Sequence, residues 1–161
     1  MTTPTPSRAT QLLDRVVAQL VAIQPGAEYW YKPGEVARDW KNYDEVQGWP
    51  FYGVIEGRTA PAGIETQDGG GLMDQTVIVV IWLNEDKIVW GTELKSRRVA
   101  LGRACADVVR ALTAHWPNRE DWLHDVSRPS IETDEAALVA KPFAYAEVTL
   151  TYRYWCPQGE L

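Results

Sequence analysis

The sequence has few of the residues on which common scaffolds and sites depend. Its 161 residues include only two cysteines, two histidines and two phenylalanines. Two cysteines are too few for a scaffold built from disulfides. Cys105 and Cys156 stand far apart and fit no metal-ligand spacing. We expect two reduced thiols, with a single disulfide as the alternative. The longest apolar run, residues 77–83, has seven residues, whereas a bilayer span needs about 20. A membrane protein is therefore not expected.

No arrangement of residues predicts a catalytic or metal centre. His115 and His124 have no partner at the spacing of a metal site. The residues His124, Asp125 and Ser127 are of the types found in a hydrolase triad, but sequence neighbours cannot line up one behind another as triad members do. The stretch 68–71 is rich in glycine but lacks the Lys-Ser/Thr of a phosphate loop. We therefore expect no catalytic residue, no cofactor and no enzyme activity.

The charge balance is acidic. Lys and Arg number 16 against 22 Asp and Glu, for a net charge of −6, which does not suit a domain whose main task is to grip nucleic acid. Arg103, Asp107 and Arg110 recur at helical spacing and form one charged helix face. This face is either solvated or pairs with a neighbouring subunit, and we take the three residues as interface candidates.

Aromatic residues are abundant, and nearly all of them carry a polar atom. The chain has 8 Trp and 7 Tyr against 2 Phe. Such side chains suit surfaces that are apolar at one end and wet at the other, and they are enriched in protein interfaces. Any single one is best explained by packing at the margin of the core. The set as a whole predicts an oligomer or a complex.

Hydrophobic periodicity predicts two helices and about five strands in one domain spanning residues 1–161. A flexible tail at 1–6 precedes a helix that begins at Ser7 or Thr10 and ends at Gln24, and the second helix covers 94–115. The predicted strands cover 35–39, 49–56, 75–84, an edge strand near 126–131 that Pro129 interrupts, and 145–154. A strand or turn at 87–92 and a helical turn or loop at 134–140 are also predicted.

This order, α-β-β-β-α-β-β, predicts an α+β fold: a mostly antiparallel sheet with two helices packed on one face. The strand at 75–84 is apolar on both faces, so both of its faces should be covered. Helices can cover one face, with either 78, 80 and 82 or 79, 81 and 83 turned toward them. A loop or another subunit must cover the other.

The segment 57–74 reads as a long glycine-rich loop. Its few apolar anchors are Ile64, Leu72 and Met73. Ordering a loop costs about 1–2 kcal/mol per residue in backbone entropy, which three side chains do not offset. We therefore expect the loop to become ordered against a partner or a neighbouring subunit, with these three residues in the interface.

The succession of segments from 7 to 156 resembles a known family. An N-terminal helix leads to a Tyr/Pro segment at 29–36, a Trp-Pro strand at 49–55, an apolar strand at 76–83, a central helix at 101–112 and a final alternating, Tyr-rich strand at 146–154. This order is similar to that of the tail terminator, or tail completion, proteins of long-tailed bacteriophages. Members of that family are small α+β proteins.

The resemblance implies a structural virion protein. Such proteins form hexameric rings that cap the tail tube, stop its polymerisation and dock to the head connector. The implied partners are further copies of the chain, the tail tube protein and a head–tail connector or neck protein, with DNA only passing through the lumen and no membrane involved. The implied location is the tail or neck of a virion assembled in the host cytoplasm. The alternatives are another neck or head–tail joining protein, or a small enzymatic or ligand-binding domain with an aromatic pocket.

Overall fold

The computed structural model describes residues 5–65, 70–84, 97–114, 119–134 and 143–158. In these ranges the helices are α1 (Arg8–Val21) and α2 (Arg97–Thr113), and a 3-10 turn covers Tyr43–Glu45. The strands are β1 (Glu35–Arg38), β2 (Phe51–Glu65), β3 (Gly71–Asn84), β4 (Leu123–Val126), β5 (Ser130–Thr133) and β6 (Phe143–Cys156). All six strands belong to one sheet, in the order β1-β2-β3-β6-β4, and β5 pairs with β6 beside β4. The chain is therefore α+β, as predicted.

The first helix forms where the apolar stripe predicts it. The Ser7 side chain caps its start by accepting a hydrogen bond from the Thr10 N–H at 3.2 Å. The helix ends at Val21, ahead of Pro25 and Gly26. Its buried residues are Leu12, Leu13, Val16 and Leu20. Of the predicted flexible tail, residues 1–4 lie outside the described residues.

The sheet has one more strand than predicted and is mixed. Strands β1 and β2 are parallel, and the remaining pairs are antiparallel. The single edge strand predicted near 126–131 is two strands, β4 and β5, on either side of Pro129. Proline lacks the N–H that a ladder needs, so it lies in the connection. Within the described ranges both strands pair with β6 alone, which agrees with their predicted place at an edge.

The predicted loop at 57–74 is wrong. Strand β2 continues to Glu65 and β3 begins at Gly71, and the two strands are paired along this length. Irregularities in the register at 56–59 and 61–65 accommodate the glycines that suggested a loop. Gly63 has a φ of 81°, a conformation that favours glycine. Only 66–69, between the strands, lie outside the described residues.

The core lies between the helices and one face of the sheet. Val79, Ile81 and Leu83 of β3 belong to the core, so the second of the two predicted sets is the one that faces the helices. Strand β6 follows the predicted alternation, and its core residues are Ala144, Ala146, Val148, Leu150, Tyr152 and Tyr154. The packed side of the sheet thus forms one continuous apolar layer with the helices.

Residues 39–49 cover the opposite face of the sheet at the end where Trp82 and Tyr145 lie. The Trp40 ring lies 6.0 Å from the Trp82 ring, edge to face. Phe51 and Val80, which point to this face, are both fully buried. The expectation that a loop or another subunit covers β3 on this side is thus met in part by a loop of the same chain.

Glu35 holds this covering segment in place. Its carboxylate accepts hydrogen bonds from Lys41 and from the Gln47 N–H, the latter at 2.9 Å. Burial alone would raise the pKa of Glu35, but these donors outweigh it and lower the pKa below its ordinary value. The segment also passes very close to the chain before β1. A Cβ on Gly48 would therefore lie only 2.3 Å from the Gly34 carbonyl oxygen. Both positions therefore require glycine.

Other predictions fall partly or wholly outside the described residues. The strand or turn at 87–92 does, as do residues 94–96 and 115 of the second helix and most of the turn at 134–140. The described part of that helix, Arg97–Thr113, agrees with its prediction. Cys105 and Cys156 are both buried and unpaired with each other.

Candidate assembly surface

The three charged residues predicted on α2 come together around a short segment, residues 28–32, which we call the strap. The strap follows α1 and crosses α2 before β1 begins. Its middle residues differ in exposure: Tyr31 is buried in the core, whereas the Trp30 side chain is 54% exposed. The strap therefore presents one large aromatic side chain to solvent from a well-anchored backbone.

Asp107 anchors the strap. Its carboxylate accepts the Trp30 N–H at 3.0 Å and the Tyr31 N–H at 2.9 Å. The residue is only 1% exposed. Burial raises the pKa of Asp107, and the two N–H donors and the nearby Arg110 oppose that shift without cancelling it. Asp107 thus satisfies two backbone donors, of which the Tyr31 N–H is buried and the Trp30 N–H partly buried.

The two arginines complete the attachment. The Arg110 guanidinium donates to the Glu28 carbonyl oxygen. The Arg103 guanidinium lies 3.8 Å from the centre of the Trp30 ring, a cation–π contact that stabilises the ring's position. Both arginines therefore act on the strap of their own chain.

The prediction that Asp107 lies on a solvated or intersubunit face is wrong. The side chain is turned inward, where Ala100, Ala104 and Ala111 of the same helix are also buried. These positions are separated by four, three and four residues, the spacing of one helix face. Small residues on that face leave room for the strap. A role of Arg103 and Arg110 in contacts with a neighbour stays a prediction.

The strap tryptophan was missed as a site residue. In the sequence, Tyr29, Trp30 and Tyr31 stand out only as part of the Tyr/Pro segment at 29–36, and no periodicity separates a buried from an exposed aromatic there. A usable signal is the position of Asp107, a lone carboxylate among the alanines that share its helix face.

The three predicted loop anchors separate in the structure. Met73 is 6% exposed and belongs to the core, so its assignment to an interface is wrong. Leu72 is half-buried and pairs with Trp155 of β6. Ile64 belongs to β2, and its side chain lies outside the described residues. For Leu72 and Ile64, a place in an interface stays a prediction.

With Asp107 turned inward, the outer face of α2 is positive. We call this the cationic surface; its members are Trp30, Lys32, Val99, Arg103 and Arg110. The described part of α2 contains four arginines and, apart from Asp107, no acidic residue. Val99, one turn before Arg103, is 48% exposed. The surface thus combines two exposed apolar side chains with cationic groups, and Glu28 is the one acidic residue of the strap.

The edge of the sheet formed by β4 and β5 has the opposite charge. We call residues 121–134, which contain β4 and β5, the acidic edge. They include four Asp or Glu residues and a single arginine, Arg128. Every residue of β5 is exposed, and Ile131 at its middle is 50% exposed. In antiparallel pairing Glu132 lies directly opposite Glu147, an arrangement of like charges that is unfavourable.

A groove of about 400 Å³ lies beside α1. It is lined by Arg15, Ala18, Gln19, Ala22, Tyr29 and Glu120. Arg15 and Glu120 form an ion pair across one side of it. The Gln19 side-chain oxygen is buried and has no hydrogen-bond partner. The groove therefore combines an ion pair with largely apolar and polar uncharged side chains.

Two further observations concern the part of the chain that the structure describes. No three His, Cys, Asp or Glu side chains there are grouped so that they can hold a metal ion. Neither described helix has the length and apolar character needed to cross a bilayer.

In comparisons with known proteins, no family model matches the chain and no curated protein does.

Proposed function

We propose that the protein is a structural component of a phage virion, a tail terminator that forms a ring on the tail tube, stops its polymerisation and docks to the head connector. The order of segments that resembles this family is the first support. It includes an N-terminal helix, a central helix and a long alternating final strand, here α1, α2 and β6.

The observation that carries the proposal is the fixed, outward-facing pair of Trp30 and Arg103. Trp and Arg are the residue types most often found at the energetic centres of protein interfaces. Asp107 fixes the backbone of the strap, so little conformational freedom is lost when the tryptophan meets a partner. A subunit that must pack against several neighbours benefits from such a preorganised surface.

The test is a tube-length assay. Purified tail tube protein is polymerised with and without the chain, and tube lengths are measured by electron microscopy, while light scattering after size exclusion gives the mass of the chain alone. We expect a ring and short, capped tubes. Trp30→Ala should weaken capping, whereas Val21→Ala, which truncates a side chain that is also 54% exposed, should not. Unchanged tube lengths at saturating wild-type chain would contradict the proposal.

Two alternatives give different results. A neck or head–tail joining protein would bind the connector without limiting tube length. A small ligand-binding or enzymatic domain is favoured by the groove beside α1, although its only aromatic lining residue is Tyr29. A stable monomer that leaves tubes unaffected and binds a small molecule, with binding lost in Ala18→Trp, would support the latter.

A further inference from the structure

We propose that copies of this chain associate head to tail, with the cationic surface of one copy docked on the acidic edge of the next. This inference deepens the proposed function and rests on it for the identity of the ring, but it specifies which two surfaces meet. It assigns Trp30, Val99 and Arg103 to one side and Ile131 and Glu132 to the other.

Charge complementarity selects the occupant. The chain as a whole has a net charge of −6, yet the outer face of α2 is positive because Asp107 is turned inward. The range 121–134 has four carboxylates and one arginine. Opposed potentials steer association and select the register between partners. The same protein thus supplies both halves of a complementary pair.

Apolar residues mark the middle of each half. Among the described residues the large exposed hydrophobic side chains are Val21, Trp30, Trp40, Val99 and Ile131. Three of these five lie on the two surfaces, Trp30 and Val99 on one and Ile131 on the other. An interface with an apolar centre and a charged rim is the usual anatomy of specific association.

The backbone of β5 adds a second attraction. Among the described residues this strand pairs with β6 alone, and the N–H and C=O groups on its other side have no strand partner there. Such an edge invites contact with another chain. Two different surfaces that meet form a heterologous contact, which closes into a ring when the rotation between copies is right.

The experiment changes the charge at one exposed residue on each side. Val99→Glu puts a carboxylate in the cationic surface, and Glu132→Lys puts a cation in the acidic edge. Neither side chain has a described hydrogen bond or ion pair, and Glu132→Lys also relieves the like-charge pair with Glu147. Each variant should weaken self-association at least about tenfold, measured by sedimentation equilibrium at low salt, with an unchanged melting temperature.

Matched controls are exposed residues that belong to neither surface. Val21→Glu makes the same change at an equally exposed helix residue, and Asp44→Lys reverses an exposed carboxylate in the 3-10 turn. Both should associate like the wild type. Mixing the Val99→Glu and Glu132→Lys proteins should restore association beyond either alone, because one contact becomes wild type and the other pairs the two new charges. An isologous contact between two α2 faces predicts no effect of Glu132→Lys.

The outcomes are separable. If both variants associate as the wild type does, the inference is overturned while a positive tube-length assay leaves the proposed function standing. If they lose association but the wild type never caps tubes, the surfaces are correct and the tail-terminator function is wrong.

A single-stranded oligonucleotide tests the rival explanation, that the cationic surface binds nucleic acid. Binding that is lost in Val99→Glu and unchanged in Glu132→Lys, with no self-association in the wild type, would assign the cationic surface to nucleic acid and overturn the inference.

Discussion

The Asp107 carboxylate accepts the Tyr31 N–H at 2.9 Å from inside the core. The contact joins residues 76 positions apart in the sequence. It therefore fixes α2 to the chain segment that leads into β1, and with it the position of the exposed tryptophan next door.

Removal of this carboxylate should loosen the strap. Asp107→Ala leaves the buried Tyr31 N–H and the partly buried Trp30 N–H without this acceptor, and an unsatisfied buried group costs about 1–3 kcal/mol. The cost of burying the charge is recovered at the same time, so we expect a net loss of about 2 kcal/mol in the free energy of unfolding. Chemical denaturation measures this loss. Asp14→Ala, which breaks an exposed pair with Arg38, should change stability by less than about 1 kcal/mol, and an equal effect of both changes would contradict the role of Asp107.

The pair of Asp74 and Arg153 on the open face of the sheet predicts a pH dependence. Two hydrogen bonds from Arg153, at 2.8 and 2.9 Å, lower the pKa of Asp74 despite partial burial. Because the folded pKa is below the unfolded value of about 3.9, this carboxylate stabilises the fold above that pH and ceases to do so as the pH falls through the folded pKa. The wild type should therefore melt higher than Asp74→Asn at pH 7, and the difference should vanish in strong acid. A difference that persists in acid would show that the ionised pair is not its cause.

Two glycines should respond oppositely to replacement by alanine. A Cβ on Gly57 would lie 2.9 Å from the Thr76 carbonyl oxygen, whereas one on Gly102 of α2 meets nothing within 4 Å. Gly57→Ala should destabilise by about 1–3 kcal/mol through the strain of overpacking. Gly102→Ala should stabilise by about 1 kcal/mol, the helix propensity difference. If thermal melts show no loss for Gly57→Ala, the close approach of β2 and β3 is wrong.

The two faces of β3 should differ in their tolerance of charge. Val79 is fully buried against the helices, so Val79→Asp places an unpaired charge in an apolar site and should cost several kcal/mol, about 3 or more. Ile78 is half-buried on the opposite face, where an aspartate can reach water. Ile78→Asp should therefore retain a cooperative melt under conditions in which Val79→Asp is unfolded. Equal effects of the two changes would contradict the assignment of Val79 to the core face and Ile78 to the opposite face.

The regular parts of the fold could be predicted because they repeat. Ten residues of alternating polarity define β6, and the apolar stripe of α1 repeats every three or four residues. The extension of the β2–β3 hairpin could not be predicted, because glycines such as Gly57 and Gly63 are typical of loops. In the structure they lie at irregularities of the strand pairing. Glycine is frequent both in loops and in β-bulges, because both need unusual backbone conformations. Its presence alone therefore does not distinguish them.

The candidate site was found only in part, for a related reason. Arg103, Asp107 and Arg110 were grouped by charge, and the structure does bring them to one segment. Their directions depend on the strap, which contacts α2 from 76 residues away in the sequence. The alanines around Asp107 indicate a buried carboxylate, but no local pattern indicates which distant segment it contacts. Trp30 was therefore missed, and Asp107 was assigned to the wrong side of the helix.

The position of β6 in the sheet has a consequence for how the chain folds during synthesis. This strand pairs with β3 along fourteen residues on one side and with both β4 and β5 on the other. It is also the last described element in chain order. Until the ribosome has released it, β4 and β5 have no strand to pair with and one side of β3 stays open. Because the missing contacts join distant parts of the sequence, the sheet closes late and slowly. A chain in which β6 has not yet emerged therefore exposes strand edges that favour aggregation.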